Sequence, residues 1–165
     1  MNNEKSPPFS KNSYIISMPV SKSRLIRHGL RFSCRRCGRC CAAKDSLVLV
    51  NKQELQAMAA YLKVGVPDFM KKFTEKADGF VSIMSRPNGT CVFYQDGCTI
   101  YPVRPIQCRT FPFWSDVVKS PHRWQEQAKK CKGMNKGKIW DVETVREQLH
   151  LYSMNLMTIM AEKDS

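Results

Sequence analysis

Eight cysteines punctuate this chain of 165 residues: Cys34, Cys37, Cys40 and Cys41 within eight positions, then Cys91, Cys98 and Cys108, then Cys131. Thiolates are the donors that soft and borderline metals prefer, and two sulfurs of a CxxC turn can meet on one ion about 2.3 Å away. Four cysteines so close in sequence cannot pair among themselves as disulfides without strain. The pattern therefore points to metal ligation, and sulfur-only ligation serves zinc and iron–sulfur clusters alike. The adjacent pair Cys40-Cys41 adds a constraint. Neighbouring side chains usually diverge, so Cys41 is expected at a second site or at a different corner of a cluster. Eight thiolates would complete two four-sulfur sites, or one iron–sulfur cluster with extra ligands, and spacing does not divide them.

Neither standard template fits whole. Cys34, Cys37 and Cys40 match the first three ligands of a bacterial ferredoxin run, but the Cys-Pro that follows three residues later there is missing. A zinc ribbon requires two CxxC knuckles, and the later half has none. Arg35, Arg36 and Arg39 interleave the first cysteines, while Arg104 and Arg109 flank Cys108. Opposite charge there would lower thiol pKa values. No phosphate loop, dinucleotide glycine motif, nucleophile elbow or His-Glu-x-x-His occurs, and His28, His122 and His150 are scattered. A centre with every corner taken by cysteine transfers electrons or holds structure, whereas a catalytic one keeps a position open.

The elements that must position these sulfurs follow from patterning. A packed core is within reach of a chain 42% apolar and 25% charged, which excludes disorder throughout, and the length suits one domain. No apolar run reaches a membrane span of about 18 residues or a secretory core, so the expected compartment is the reducing cytoplasm. Residues 1–31 are expected as a basic, partly disordered tail, 32–134 as the metal-binding domain and 135–165 as a C-terminal helix packed on it. Asn51 with Glu54 marks a helix start, Leu55, Met58, Ala59 and Leu62 share one face, and Gly65 marks the stop. A second helix is expected from Pro67-Asp68 to Asp78-Gly79, burying Phe69, Met70 and Phe73. Segments 80–84, 91–94 and 98–101 read as a small hairpin sheet, and Pro105 opens a short helix carrying Cys108. The last helix begins near Asp141 with Val142, Val145, Leu149, Leu156, Ile159 and Met160 as its apolar stripe, and Met154, Met157 and Met160 are expected in the core. The fold class is a small α+β domain: helices packed around a short antiparallel hairpin sheet and metal-binding loops.

Charge narrows the partners. Lys and Arg number 27 against 14 acids, a net charge of +13. Two filled four-thiolate sites would leave about +9. Such a surplus suits a polyanion, either nucleic acid or an acidic protein. Phe111, Phe113, Trp114 and Trp124 lie among cations, as candidates for stacking on single strands or for ordinary packing.

Three strings now stand out: Phe32-Ser-Cys34-Arg-Arg-Cys37-Gly38-Arg-Cys40-Cys41; Cys91-Val-Phe93 followed by Cys98-Thr-Ile-Tyr101-Pro-Val-Arg104-Pro105-Ile-Gln-Cys108-Arg109-Thr-Phe111-Pro112-Phe113; and Cys131-Lys-Gly133. Together, over about residues 32–134, they resemble the CxxCxxCC cysteine-cluster family, also called YkgJ-like, of zinc- or iron-chelating domains. The resemblance implies zinc or iron, the latter as a 4Fe–4S cluster, held by Cys34, Cys37, Cys40, Cys41, Cys91, Cys98, Cys108 and Cys131. The resemblance gives metal binding, not a reaction; the expected function is a metal, redox or accessory module with a protein partner or acidic substrate. One longer branch of the family is linked to flagellin lysine methylation, so a component of a methyltransferase-like, protein-modifying enzyme is the alternative reading. A basic nucleic-acid adapter is the other.

Overall fold

Two apolar cores organise the chain, a computed structural model that describes residues 24–42 and 47–163. The first core lies within residues 50–100: Val50, Leu55, Met58, Ala59, Phe69, Ile83, Phe93 and Ile100. Helix α1 (Lys52–Tyr61) opens on a reciprocal cap, with the Asn51 side chain accepting from the Glu54 N–H and the Glu54 carboxylate from the Asn51 N–H. It ends one turn before Gly65, with Lys63 taking the left-handed conformation at φ 57°. Gly65 instead caps the start of α2 (Val66–Phe73), whose Phe69 is fully buried. The Phe69, Phe73 and Phe93 rings touch at centroid distances of 5.0 to 5.9 Å.

Helix α2 stops five residues before the expected Asp78-Gly79. Thr74–Ala77 is strand β2, paired antiparallel with β3 (Phe80–Ile83), and Asp78 (φ 52°) with Gly79 (φ 84°) forms their tight turn. An Asp-Gly pair supplies the two positive φ angles that such a hairpin demands, and that local chemistry overrides the helical spacing before it. The expected hairpin over 91–101 is replaced by turns with isolated bridges, Ser85 to Cys91 and Tyr94 to Cys98.

The second core joins distant parts of the chain: Ile26, Leu30 and Phe32 with Phe113, Val117, Val118, Trp124, Met134, Val145 and Leu149. Strand β1 (Leu30–Phe32) pairs antiparallel with β4 (Met134–Trp140), which the sequence patterning missed because Asn135, Lys136, Gly137 and Lys138 show no alternation. Between them lie α3 (Ile106–Thr110), α4 (Ser115–Val118) and α5 (Pro121–Lys130), and the chain closes with α6 (Val142–Ala161), capped by Asp141 as expected. The expected tail is thus partly structural, with Ile26 and Leu30 buried; the expectation of partial disorder over residues 1–23 lies outside the described residues. Phe113 and Trp124 are 1% exposed, so they build core and are closed to base stacking, while the half-buried Phe111 and Trp114 pack edge-on against each other beside that core.

Helix α6 buries Val145, Leu149, Tyr152, Asn155 and Ile159, steps of three and four residues on one face. That stripe leaves Met154, Met157 and Met160 on the opposite side, 49%, 63% and 46% exposed, against the expectation of core methionines. The same helix bridges both cores, since Asn155 accepts from the Asn51 amide at 2.7 Å and Glu162 from the Lys52 N–H at 2.8 Å. The architecture is a small α+β fold with two two-stranded antiparallel sheets among its helices. Among the described residues no helix is long and apolar enough to cross a membrane.

Candidate metal centre

The cysteines sit along the seam between the cores. Cys34, Cys37, Cys40 and Cys41 follow β1, Cys91 and Cys98 lie in turns packed on the first core, Cys131 ends α5 on the second, and Cys108 rides on α3. Pro105 caps α3 as the sequence suggested, so one ligand candidate is helical while the others occupy turns and connections.

Folding of each segment explains its approach. Gly38 adopts φ 69° and its Cα faces the Tyr94 ring so closely that a Cβ would overlap it, so glycine lets the early cysteine run dock on the 91–98 turns without displacing that ring. A turn follows in which Cys41 and Ala42 both donate to the Gly38 carbonyl at 2.9 Å, and Cys91 donates to the Cys41 carbonyl at 2.6 Å. On the other side, Arg86 clips the 91–94 turn by donating to the Tyr94 and Val92 carbonyls at 2.8 and 2.7 Å. Helix α3 is held by two buried polar side chains. Glu54 accepts from the Ile106 N–H at 2.6 Å, and Gln107 accepts from the Leu49 N–H and donates to the Leu47 carbonyl. Sequence reasoning read Glu54 only as a cap and passed over Gln107, Tyr94 and Arg86; the signal available was the polar Gln inside the Arg-Pro-Ile-Gln-Cys string.

The sulfurs share one electrostatic neighbourhood. Cys108 feels Cys40, Cys91 and Cys98; Cys98 feels Cys40 and Cys34; Cys131 feels Cys37 and Cys40; Cys41 feels Cys40, Cys91 and Cys108. All eight cysteines belong to that network, with Cys40 at its hub. The Cys40 and Cys41 sulfurs are 3.9 Å apart. Sulfurs on one tetrahedral ion with bonds of about 2.3 Å would be about 3.8 Å apart, so the adjacent pair converges where divergence was expected. The turn after Gly38 supplies the bend. Among the described residues no three Cys, His, Asp or Glu side chains already stand close enough to hold an ion as placed.

Backbone N–H groups reach several of the sulfurs. The Cys34 sulfur accepts from the Arg36 N–H at 3.5 Å, and the backbone at Phe93, Ile100 and Gly133 favours ionisation of Cys91, Cys98 and Cys131, as that of Cys40 and Cys41 does for Cys40. Such N–H···S bonds favour the thiolate that a metal requires. Loss of hydration works the other way and is the first cause raising the thiol pKa values of Cys91, Cys98, Cys108 and Cys131, with mutual repulsion adding to it. Cys108 is raised furthest of these four: its side chain reaches solvent, yet the protein around the sulfur strips its hydration. Cys40 is pushed down to about 6, first by the hydrogen bond from the Cys41 thiol, and that same bond pushes Cys41 up. Arg104 lowers Cys40, Cys98 and Cys108, and Arg86 lowers Cys91. Arg104 is aimed by Tyr101, whose ring carries its guanidinium at 3.8 Å and that of Arg36 at 4.2 Å. Arg35 and Arg39, expected to serve the thiolates, are exposed. Arg109 acts on Glu54 instead. His28, His122 and His150 are exposed.

This donor set fits a thiophilic ion. Thiols are carried by both cores, the Arg36 N–H is aimed at the Cys34 sulfur, and the burial and mutual repulsion that raise Cys91, Cys98, Cys108 and Cys131 are what a cation would reverse. The CxxCxxCC family, described as a "Putative zinc- or iron-chelating domain", matches residues 33–136. The chain belongs to the CxxCxxCC family. A relative, an uncharacterized protein of Methanocaldococcus jannaschii, is 32% identical over 89 residues, which cover 52% of this chain and 47% of that protein. The chain thus spans about half the length of the curated relative it matches. No solved structure matches the chain. Membership in the CxxCxxCC family agrees with metal binding, and the matched span takes in all eight cysteines and both sides of the seam.

Proposed function

We propose that this CxxCxxCC protein holds zinc, or iron as an iron–sulfur cluster, through Cys34, Cys37, Cys40, Cys41, Cys91, Cys98, Cys108 and Cys131, and acts as a metal, redox or accessory module in the reducing cytoplasm. The observation that supports this most is the docking of the early cysteine run on the turns of the first core, where Cys91 donates to the Cys41 carbonyl at 2.6 Å and the Cys40 and Cys41 sulfurs stand 3.9 Å apart. Zinc would supply charge and a rigid four-sulfur vertex, and an iron–sulfur cluster would add one-electron transfer. The chain's own residues do the rest. The hydrogen bond from the Cys41 thiol favours the Cys40 thiolate, backbone N–H groups steady the thiolates, and Arg104 and Arg86 balance their charge.

Elemental analysis of protein purified without oxygen tests the reading. Stoichiometric zinc, or iron with sulfide and a brown colour, is expected. Reduced, folded protein empty of both would overturn it. Because the site forms only on folding, binding free energy of order 10 kcal/mol for structural zinc is folding free energy, and a strong chelator should abolish the cooperative thermal transition.

A further inference from the structure

We propose that the ribbon formed by β1 and β4 is a docking face for nucleic acid, gripped through its phosphate backbone. Two segments about a hundred residues apart contain no acid. Residues 24–42 carry Arg24, Arg27, Arg31, Arg35, Arg36 and Arg39, and residues 129–138 carry Lys129, Lys130, Lys132, Lys136 and Lys138. Antiparallel pairing of β1 with β4 lays these segments side by side, so cations dispersed along the chain become one field.

The ribbon also presents them outward. Opposite Phe32 stands Met134 and opposite Arg31 stands Ile139, so residues 135–138 of β4 have no partner in β1 and swell into a bulge. Lys136 and Lys138 ride on that bulge, exposed, the Lys138 ammonium lying 4.9 Å over the Trp140 ring, and Ser33 pins the base by accepting from the Lys138 N–H at 2.9 Å. Gly137 sits over Ser33 where a Cβ would collide, and its carbonyl accepts from the Arg31 guanidinium at 3.2 Å. The cations are therefore set on a shaped, anchored platform. Two acids border the face: Glu126 pairs with Lys129 at 2.6 Å, and Asp141, which caps α6 at 2.7 Å, also feels the charge of Lys138 without forming an ion pair with it. Among the described residues none of Arg27, Arg31, Arg35, Arg39, Lys130, Lys132, Lys136 and Lys138 forms an ion pair. The cations that act on the thiols are Arg104 and Arg86, which lie outside the ribbon.

Nucleic acid suits this face better than an acidic protein does. Stable protein interfaces centre on buried apolar or aromatic anchors, and on the bulge the exposed apolar side chain is Ile139 alone, 55% exposed, while Trp140 is tucked against Phe113 at 4.9 Å. Phosphate recognition asks only for spaced cations and is indifferent to base sequence. With Phe113 and Trp124 buried, charge carries the binding without base stacking.

The test is fluorescence anisotropy of the full-length, metal-loaded protein with labelled single- and double-stranded 25-mers across a salt series, with polyglutamate of similar length as competitor. Binding should weaken linearly in log affinity against log salt. Lys136→Ala/Lys138→Ala should lose about tenfold or more in affinity, with the single-strand salt slope falling by about 1.4, or 0.7 per lost phosphate contact. Lys71→Ala/Lys72→Ala on the exposed part of α2 removes the same charge from another element and should leave most of the binding. Equal losses in the two double variants, or competition by polyglutamate as strong as by unlabelled oligonucleotide, would overturn the proposal, as would no salt-dependent binding. Metal content measured on every sample separates failure of this face from failure of the cysteine centre.

Discussion

The two cores of this molecule are made from the chain in opposite ways. Val50 to Ile100 supply the first core from one run of sequence, through an α-hairpin, a β-hairpin and a pair of turns. The second brings Ile26, Leu30 and Phe32 against Phe113, Trp124, Met134 and Val145, so it must order about eighty intervening residues before its contacts form. The cysteines are shared between them, with Cys91 and Cys98 packed on the local core and Cys131 on the split one. An ion at the seam would therefore strengthen the fold where packing has the longest loop to close. A bound metal and the hydrophobic effect would then divide the work by sequence distance.

The largest effect that would break or sharpen this contrast is truncation in each core. Phe69→Ala and Trp124→Ala should each lower stability by about 3–5 kcal/mol, since both side chains are almost wholly buried. Only Trp124→Ala should also speed metal transfer to a chromogenic chelator, because it loosens the split core that carries Cys131 and the early cysteines. Equal transfer rates in the two variants would refute the division of labour.

Next comes the contact between the early run and the turns of the local core. Gly38→Ala forces a side chain into left-handed backbone and into the Tyr94 ring, at a cost of about 1–2 kcal/mol from the backbone alone. Metal content should fall with it. Adding Tyr94→Ala should recover part of the loss, so that a double-mutant cycle reports non-additivity; strict additivity would sever the two residues.

Glu54 ties α1 to α3, and Glu54→Gln puts an amide donor against one of two backbone N–H groups, costing about 1–3 kcal/mol. Burial raises the Glu54 carboxyl above its ordinary 4.5. Its folded pKa thus exceeds the unfolded one, so its contribution is fully present below the unfolded value and is lost as pH rises through the folded value. Denaturant midpoints of the wild type should decline over that acidic window while those of Glu54→Gln lack the step. Parallel pH curves would refute it. Smallest of all, Met157→Lys on the exposed face of α6 should change stability by no more than about 0.5 kcal/mol in a thermal melt.

Legibility followed the range of the interactions. Caps at Asn51 and Asp141, the short helix after Pro105 and the apolar face of α1 were readable because each depends on neighbours within four residues. Strand β4 was not, because its partner lies a hundred residues upstream and its bulge erases alternation. Helix α5 went unread although Ser120-Pro121 is a fair start signal, its polar surface leaving Trp124 as the sole buried side chain. The methionines of α6 misled because the choice between two faces of a helix is made by what packs against it.

Sequence by itself determined the donors: eight sulfurs, their grouping, the glycine and prolines around them and the positive surplus, since composition and local spacing require no partner from afar. Tertiary structure decided which sulfurs become neighbours, that Cys40 and Cys41 turn the same way, and that cations from both ends of the chain share one ribbon. Those outcomes depend on long-range closure of the split core, where the energy lies in contacts between residues that no local pattern relates.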